Sequence, residues 1–238
     1  MGLAYEFDWS VLWRQPYGLW LIKGLGLTIM IGFSAWVIAL ALGIFVGTLR
    51  VTPYRGLRFL GTAYVEILRN IPLLVQLFFW FYAGPMVFGE TISRQINQIS
   101  GLNIYVAIIG LGLYTSSRVA EHVRAGFASI SRDQYQAVLS TGMTQAQMYG
   151  HVIIPYSLRL IMPPLTTEFL TIFKNTSVAM TIGVAELTFQ SYRIDADTFH
   201  GLEATSGAMI VYLLLGMTVV RCMSMVEKKF RIQGLVGR

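Results

Sequence analysis

Apolar stretches alternate with short polar segments along the whole chain. The apolar stretches occupy residues 24–49, 59–87, 104–127, 160–182 and 206–225. A helix needs about 20 residues to cross a bilayer core of about 30 Å. The pattern therefore predicts an all-α integral membrane protein with five transmembrane helices, in a single domain over residues 1–238.

The composition agrees with this interpretation. Hydrophobic residues make up 55% of the chain, charged residues only 13%, and the mean hydropathy is +0.59. A soluble domain usually carries about 25% charged residues. The first apolar stretch follows Glu6 and Asp8 and lacks a small-residue cleavage site. We therefore expect a retained membrane span there and not a removable signal peptide.

Basic residues predict how the helices are oriented. Most of the 18 Lys and Arg residues fall at one set of span ends, and cytoplasmic loops are enriched in these residues. Only Arg14, Lys23, Arg94 and Arg193 fall at the other ends, and Lys174 lies inside a span. We therefore expect the N-terminus outside and the C-terminus inside. The inner set is Arg50, Arg55, Arg58, Arg69, Arg118, Arg124, Arg132, Arg159, Arg221, Lys228, Lys229, Arg231 and Arg238.

The usual signatures of catalysis, metal binding and nucleic-acid binding do not occur in the sequence. There is no phosphate-binding Gly-Lys loop, no H-E-x-x-H pair and no G-x-S-x-G elbow. The net charge of +6 comes from basic residues scattered between apolar stretches, so it does not indicate nucleic acid. His122, His151 and His200 are far apart, and Cys222 is single. We expect no catalysis, no cofactor and no metal in this chain.

The longest polar interruption is the segment 131–155. Ser-Arg-Asp-Gln at 131–134 and Thr-Gln-Ala-Gln at 144–147 both match the capping box that begins a helix. Gly142 stands where a left-handed residue commonly ends a helix. Pro155 stands where the second helix is expected to stop. The segment therefore predicts two short helices joined by a glycine hinge.

Apolar and polar side chains of this segment fall on different sides of the predicted helices. One interpretation is an amphipathic connector that lies on the membrane surface. The other is a docking element for a cytoplasmic partner. The apolar set is Tyr135, Val138, Leu139, Ala146, Tyr149 and Ile153, and the polar set is Gln136, Ser140, Gln147 and His151.

The same segment resembles the cytoplasmic EAA loop of bacterial ABC importer permeases. The resemblance lies in Gln136-Ala137, in Gly142 six residues after Gln136, and in the V-I-I-P ending at 152–155. The sequence departs from the family pattern in having Gln136 in place of glutamate and Val138 in place of the second alanine. In that family the loop docks into a cleft of the ATP-hydrolysing subunit. The resemblance implies coupling roles for Gln136, Ala137, Ser140, Gly142 and Gln147.

Charged residues inside the predicted spans are candidates for function, because a charge in hydrocarbon is costly and normally faces a cavity or a partner. Glu168 and Lys174 are six residues apart, about 240° around a helix, so each needs another partner. For both residues the structural alternative is an ion pair with a neighbouring span. Arg118 is followed by Glu121 and Arg124 at intervals of three residues. Arg118 therefore belongs either to an intrahelical Arg-Glu-Arg ladder or to a substrate cavity, where its fork can bind a carboxylate.

Two longer segments resemble the permeases of polar amino-acid importers, the group for His, Glu, Gln and Arg. The first is Y-V-E-I-L-R-N-I-P-L-L-V-Q-L at 64–77. The second consists of I-P at 154–155, L-R at 158–159, P-P at 163–164, K-N-T-S at 174–177 and E-L-T at 186–188. The run S-R-V-A-E-H-V-R at 117–124 narrows the resemblance. Glutamate/aspartate permeases are similar in having arginine at the position of Arg118, where many family members have an aromatic residue.

This resemblance implies the type I permease fold of an ABC importer and the import of polar, specifically acidic, amino acids across a bacterial inner membrane. The implied partners are ATPase subunits that bind ATP and Mg²⁺, a second permease subunit, for which a paralogue is favoured over an identical copy, and a periplasmic amino-acid-binding protein. Arg118 would hold a substrate carboxylate, and Glu168 the α-ammonium group. Lys174 is either a second carboxylate ligand or a structural residue. Asn175, Thr176 and Ser177 would orient the substrate.

Two other functions are compatible with the pattern of residues alone. One is an ATP-independent channel or secondary transporter, in which the segment 131–155 is only a surface connector. The other is a non-transporting assembly subunit, in which the charges inside the spans only join helices. Co-purification with an ATPase tests the first alternative, and uptake that depends on this chain tests the second.

Overall fold

The structure is a computed structural model that describes residues 5–230, except for the side chain of Phe230. Every regular element in that range is a helix, so the all-α prediction is confirmed there. Arg231 and Arg238, two of the inner basic residues, lie outside the described residues. The α-helices are α1 (Tyr17–Val51), α2 (Arg55–Asn70), α3 (Leu73–Phe78), α4 (Glu90–Asn97), α5 (Leu102–Ala128), α6 (Arg132–Leu139), α7 (Gln145–Met148), α8 (Ile154–Asn175), α9 (Leu187–Thr198) and α10 (Gly201–Phe230). Short 3₁₀ helices occupy Trp9–Leu12, Gly84–Phe88 and Thr176–Ile182, and π-helical turns occupy Phe79–Ala83 and Tyr149–Ile153.

Two helices of the described chain, Tyr17–Val51 and Gly201–Lys229, are long and apolar enough to cross a membrane. Two further pairs pass the same test only when each is taken as one bent span, namely α2 with the helices of 73–88 and α4 with α5. Two to four segments therefore qualify. Helix α8 is not among them, since Arg159, Glu168 and two prolines lower its hydropathy. The number of five spans stays a prediction.

The predicted second span, residues 59–87, is wrong as a single continuous helix. Helix α2 ends at Asn70, Ile71 is extended (φ −97°, ψ 126°), and Pro72 precedes α3. The residue before a proline is disfavoured in the helical conformation, because the proline ring clashes with its backbone. The polar residues 66–70 therefore belong to a separate helix, α2, which ends before the bend.

Between the fourth and fifth apolar stretches, the sequence predicts an acidic outside loop over residues 186–203, and the structure corrects this prediction. Helix α9 occupies most of it, and both Glu186 and Glu203 are fully buried. Glu186 caps the start of α9 through its side chain. Glu203 accepts hydrogen bonds from the Tyr5 hydroxyl and, at 2.7 Å, from the backbone N–H of Asp8. These carboxylates fasten helix ends and chain segments together and do not form a charged surface.

Packing divides the chain into two compact units. The first contains the described parts of residues 1–35, 72–111 and 171–218, and the second those of 36–71, 112–170 and 219–238. The expectation of a single domain stays a prediction.

Glycines of the first predicted span allow close helix packing in the second unit. A Cβ atom on Gly43 would lie 2.5 Å from the Val119 side chain, and one on Gly47 would lie 2.6 Å from that of Val123. Only hydrogen fits at both positions. This packing brings the C-terminal part of α1 against the polar part of α5, which carries the charged residues of interest.

Candidate functional site

An ion pair in the second unit joins α5 to α8. Arg118 donates from Nε to Oε2 of Glu168 at 2.8 Å, and His122 Nε2 lies 3.2 Å from Oε1 of the same carboxylate. The Glu168 side chain is only 5% exposed, whereas that of Arg118 is 41% exposed. The glutamate is therefore a buried anchor, and the guanidinium keeps an accessible surface.

A close contact between α5 and α8 sets the register of this pair. A Cβ atom on Gly126 would lie 2.5 Å from Cγ2 of Ile161, and the Ser157 hydroxyl donates to the Gly126 carbonyl at 3.3 Å. About two turns from this contact, backwards along α5 and forwards along α8, the helices carry Arg118 and Glu168. The antiparallel packing at Gly126 thus brings the two charges together.

These contacts exclude one alternative that the sequence leaves open, the intrahelical ladder at Arg118. Arg118 is not part of a three-residue ladder within α5, because its carboxylate partner is Glu168. Glu121 pairs with Arg124 of its own helix, as the ladder predicts, and also with Arg50 and Arg69. Glu168 has the partner on a neighbouring helix that the structural alternative requires. The guanidinium of Arg118 is accessible, so it can also bind a substrate carboxylate while it is paired with Glu168.

His122 is a contact of this site that reasoning from the sequence missed. In the sequence His122 is only one of three widely separated histidines, yet its ring lies within hydrogen-bond distance of Glu168. Residues four apart share one face of a helix, and His122 is four residues after Arg118. That spacing is the signal that could have found it.

The remaining predicted substrate residues lie in the first unit, at the end of α8 and in the 3₁₀ helix that follows it. A cavity of about 330 Å³ is lined by Lys174, Ser177, Tyr212 and Leu213. Thr176 is fully buried, and its hydroxyl donates at 2.7 Å to the carbonyl of Phe173. Asn175 precedes the 3₁₀ helix without capping it through its side chain. Lys174 and Ser177 therefore both face this cavity.

The hinge predicted in the segment 131–155 is present. Both capping boxes form, at Ser131 with Gln134 and at Thr144 with Gln147. Gly142 has a φ of +78°, with open space where a Cβ atom would stand. The residues implicated in coupling are all exposed: Gln136, Ala137, Ser140, Gly142 and Gln147. Exposed backbone and side chains at a hinge are available to a partner.

Pro155 does not stop the second helix, so this prediction is wrong. The π-helical turn Tyr149–Ile153 follows α7, and α8 continues from Ile154 to Asn175. Within a regular helix a proline loses a hydrogen bond and clashes with the carbonyl four residues earlier. Here the wider π turn comes just before Pro155, and the first turn of a helix tolerates a missing donor. A continuous helical path therefore leads from the hinge to Glu168.

A contact between two tyrosines crosses the hinge. Tyr149 interacts with Tyr135 of α6, and burial together with this contact raises the pKa of Tyr149 above its ordinary value. Met148 directly precedes Tyr149 and is fully buried, although the predicted apolar set omits it. The tyrosine contact therefore joins α6 to the turn that follows α7.

Comparison with known proteins identifies the family. The model of a family described as "Binding-protein-dependent transport system inner membrane component" matches residues 39–232. The chain belongs to this family. The glutamate/aspartate import permease protein GltJ of Escherichia coli strain K12 is 34% identical over 244 aligned residues, which cover 99% of this chain and 99% of that protein. The probable glutamine ABC transporter permease protein GlnM of Bacillus subtilis strain 168 is 32% identical over 199 residues, 82% of this chain and 88% of that protein.

Solved structures agree with this membership. The crystal structure of an amino acid ABC transporter with histidines contains a chain of the same fold, with a TM-score of 0.82 and 28% identity. The match covers 94% of this permease and all of that chain. The resemblance to permeases of polar amino-acid importers is thus confirmed. This permease is the membrane subunit of an amino-acid ABC importer, in which ATP hydrolysis belongs to a separate subunit.

Proposed function

We propose that this permease imports acidic amino acids, glutamate or aspartate, with Arg118 as the ligand of a substrate carboxylate. The observation that carries the proposal is the pair in which Glu168 is buried while Arg118 keeps 41% of its side chain exposed. Glu168 engages Nε of Arg118, and a guanidinium has two further nitrogens that can bind a carboxylate. The similarity to GltJ supports the acidic substrate.

An amino acid carries both charges that are needed to replace this ion pair. A carboxylate of the substrate can take the guanidinium of Arg118, and its α-ammonium group can take the carboxylate of Glu168. Removing only one partner of a buried pair costs about 3–5 kcal/mol, because the other charge is left uncompensated. A zwitterion that enters between the two residues avoids this cost. His122 can stay on the second oxygen of Glu168 during the exchange.

Lys174 and Ser177 form a separate candidate contact in the first unit, where they line a cavity. The ammonium group of Lys174 can bind a substrate carboxylate, and the hydroxyl of Ser177 can orient the substrate through a hydrogen bond. Asn175 and buried Thr176 are proposed to shape this part of the chain, and Thr176 does so through its bond to a backbone carbonyl. Each assignment is testable by substitution to alanine.

The hinge segment 131–155 is proposed to receive the force of ATP binding and hydrolysis. Its five coupling residues are exposed, and its second helix continues into α8, which carries Glu168. The proposal includes two ATPase subunits with ATP and Mg²⁺, a paralogous second permease subunit, and a periplasmic binding protein. It places the N-terminus in the periplasm and the C-terminus in the cytoplasm of a bacterial inner membrane, as the basic residues predict.

The substrate test is uptake by the purified complex in proteoliposomes, with ATP and the binding protein supplied, across a panel of acidic, basic and neutral amino acids. We expect strong uptake of glutamate or aspartate and weak uptake of the basic and neutral amino acids. Arg118→Ala should lower uptake more than it lowers thermal stability, and Arg94→Ala is the matched control, since Arg94 is exposed and pairs only with Glu90 among described residues. Equal uptake of basic and acidic substrates, or equal loss of uptake and stability in Arg118→Ala, would refute the proposal.

The coupling test uses the two exposed glycines of the hinge region. Gly142→Ala places a side chain at a φ of +78°, which costs about 1 kcal/mol, whereas Gly150→Ala adds a methyl group in open space within a helical turn. We expect Gly142→Ala to weaken the dependence of ATP hydrolysis on transport substrate and Gly150→Ala to preserve it. Identical ATPase responses in both variants would exclude Gly142 as a coupling hinge.

A further inference from the structure

Helix α2 has one packed face and two different exposed flanks. Gly61 and Val65 are buried on its packed face. A Cβ atom on Gly61 would lie 3.2 Å from the Val46 carbonyl oxygen and 2.9 Å from Cγ of Arg50, so α2 lies directly against α1. The residues on either side of this face are left outside the packing of the second unit.

One flank of α2 is basic. Arg55, Arg58 and Arg69 fall within about 60° of one another at 100° per residue, and all three are exposed. Among residues 5–230 no acidic side chain pairs with Arg55 or Arg58. Glu66, next to this flank, is exposed and accepts a hydrogen bond from the side chain of Asn70 at 3.3 Å.

The ion cluster around Glu121 adds to this positive charge. Its carboxylate contacts Arg50 and Arg124, and it lies 3.8 Å from Nη1 of Arg69. One carboxylate thus serves three guanidinium groups. Arg50 is 7% exposed, and its Nε has no hydrogen-bond partner among the described residues. Arg69 is 45% exposed and Arg124 is 39% exposed, so the surplus charge reaches the surface.

The other flank of α2 is apolar. Leu57, Leu60 and Ile67 fall within about 80° of one another and are exposed. An open apolar depression at the start of α2 is lined by Tyr54, Gly56, Leu57, Phe59 and Leu60. A helix with a basic flank and an apolar flank suits the boundary between lipid headgroups and acyl chains.

We infer that this surface binds the phosphates of anionic phospholipids in the inner leaflet, one at Arg55 and Arg58 and another at Arg69 beside the cluster around Glu121, because Arg58 and Arg69 lie about 16 Å apart along α2. Five arginines face two glutamates in this region, so the charge complements an anionic headgroup and not a zwitterionic one. The acyl chains then lie along Leu57, Leu60 and Ile67. Each basic residue near an anionic bilayer strengthens attachment by a factor of about five. The inference rests on the orientation given under the proposed function and is independent of the substrate.

The test is lipid binding by the purified full complex in detergent, followed by native mass spectrometry and thermal unfolding. The probes are phosphatidylglycerol, phosphatidylcholine and inorganic phosphate. The variant Arg55→Gln/Arg58→Gln leaves the whole cluster around Glu121 in place, and Arg94→Gln is the control. We expect phosphatidylglycerol to bind in preference to phosphatidylcholine, and the double variant to weaken its binding by about 25-fold. The control should retain the affinity of the unmodified complex.

Several results would overturn the inference. These are equal binding of the two lipids, an unchanged affinity of the double variant for phosphatidylglycerol, and stabilisation by inorganic phosphate to the same extent as by lipid. Loss of the ATPase subunits from the double variant with lipid binding intact would instead assign the surface to a protein partner. Lipid binding is measured without transport. If the uptake panel contradicts the proposed substrate, the lipid result can therefore still be interpreted. An inverted orientation, shown by labelling of an exposed residue of α2 from outside, would refute the leaflet assignment alone.

Discussion

Helix α5 takes part in two ion-pair clusters, one around Glu121 and one around Glu168. The two clusters differ in the number of arginines per carboxylate. Glu121 is shared by Arg50, Arg69 and Arg124, whereas Glu168 of α8 meets Arg118 and His122. Glu121 is 23% exposed and Glu168 is 5% exposed. The more accessible carboxylate therefore has the larger number of cations, and the buried one has a single arginine.

This difference indicates two different tasks. A carboxylate shared by three arginines stays paired when one of them turns to another anion, so Glu121 holds α1, α2 and α5 together. A one-to-one pair is electrically balanced, and a zwitterionic substrate can exchange with it without leaving a net charge. The comparison therefore assigns stability to the Glu121 cluster and substrate exchange to the Glu168 pair.

The largest effect is expected from Glu168→Gln, which keeps the shape of the side chain and removes its charge. The substrate ammonium group and Arg118 both lose their anion, and hydrogen bonds to charged groups contribute about 1.5–3 kcal/mol each. We expect ATP-dependent uptake of glutamate or aspartate to fall about 100-fold, equivalent to about 2.7 kcal/mol. Initial uptake rates by complexes checked for intact assembly measure this. A loss below about threefold would remove Glu168 from the exchange.

The next effect is on stability and comes from Glu121→Gln. Three guanidinium groups would lose their common anion, and partial exposure of Glu121 reduces the cost below the about 3–5 kcal/mol of a fully buried pair. We expect the free energy of unfolding to fall by about 2 kcal/mol, with the KM for uptake unchanged. Thermal unfolding of the complex and uptake kinetics measure the two quantities.

Glu66→Gln is the matched control for this prediction. Glu66 is exposed on α2 and has only a 3.3 Å hydrogen bond with Asn70 in the described chain, so its loss should change stability by less than about 0.5 kcal/mol. If Glu121→Gln instead lowered uptake as much as Glu168→Gln, the separation of tasks between the two carboxylates would be wrong.

Local features of this chain could be predicted from the sequence, because their causes are local. The capping boxes at Ser131 and Thr144 and the left-handed Gly142 follow from residue types at fixed spacings, and the structure confirms them. Pro155 was harder to interpret, since its effect depends on whether the preceding turn widens into a π helix. The family membership was recognisable from longer motifs, and the comparisons confirm it.

Contacts between helices could not be predicted in the same way. The partner of Arg118 depends on the register of α5 against α8, which the packing at Gly126 sets and no single-helix pattern contains. The prediction that Glu186 and Glu203 are exposed was wrong for a related reason. An acidic residue is normally exposed unless hydrogen-bond donors from distant parts of the chain satisfy it, and the sequence does not show those donors. The roles of Lys174, Asn175, Thr176 and Ser177 stay predictions.

The smallest effect distinguishes a supporting residue from a ligand at the Glu168 pair. A carboxylate only accepts hydrogen bonds, so His122 must donate from Nε2 to Glu168. His122→Leu removes one such bond, worth about 1 kcal/mol, and should lower uptake about fivefold, whereas His122→Gln keeps a donor and should restore most of it. Uptake rates of the two variants, compared with Glu168→Gln, measure this. A 100-fold loss of uptake in His122→Leu would make His122 a direct ligand of the substrate. Substrate exchange would then involve three residues, and the contrast between a one-to-one pair and the Glu121 cluster would be wrong.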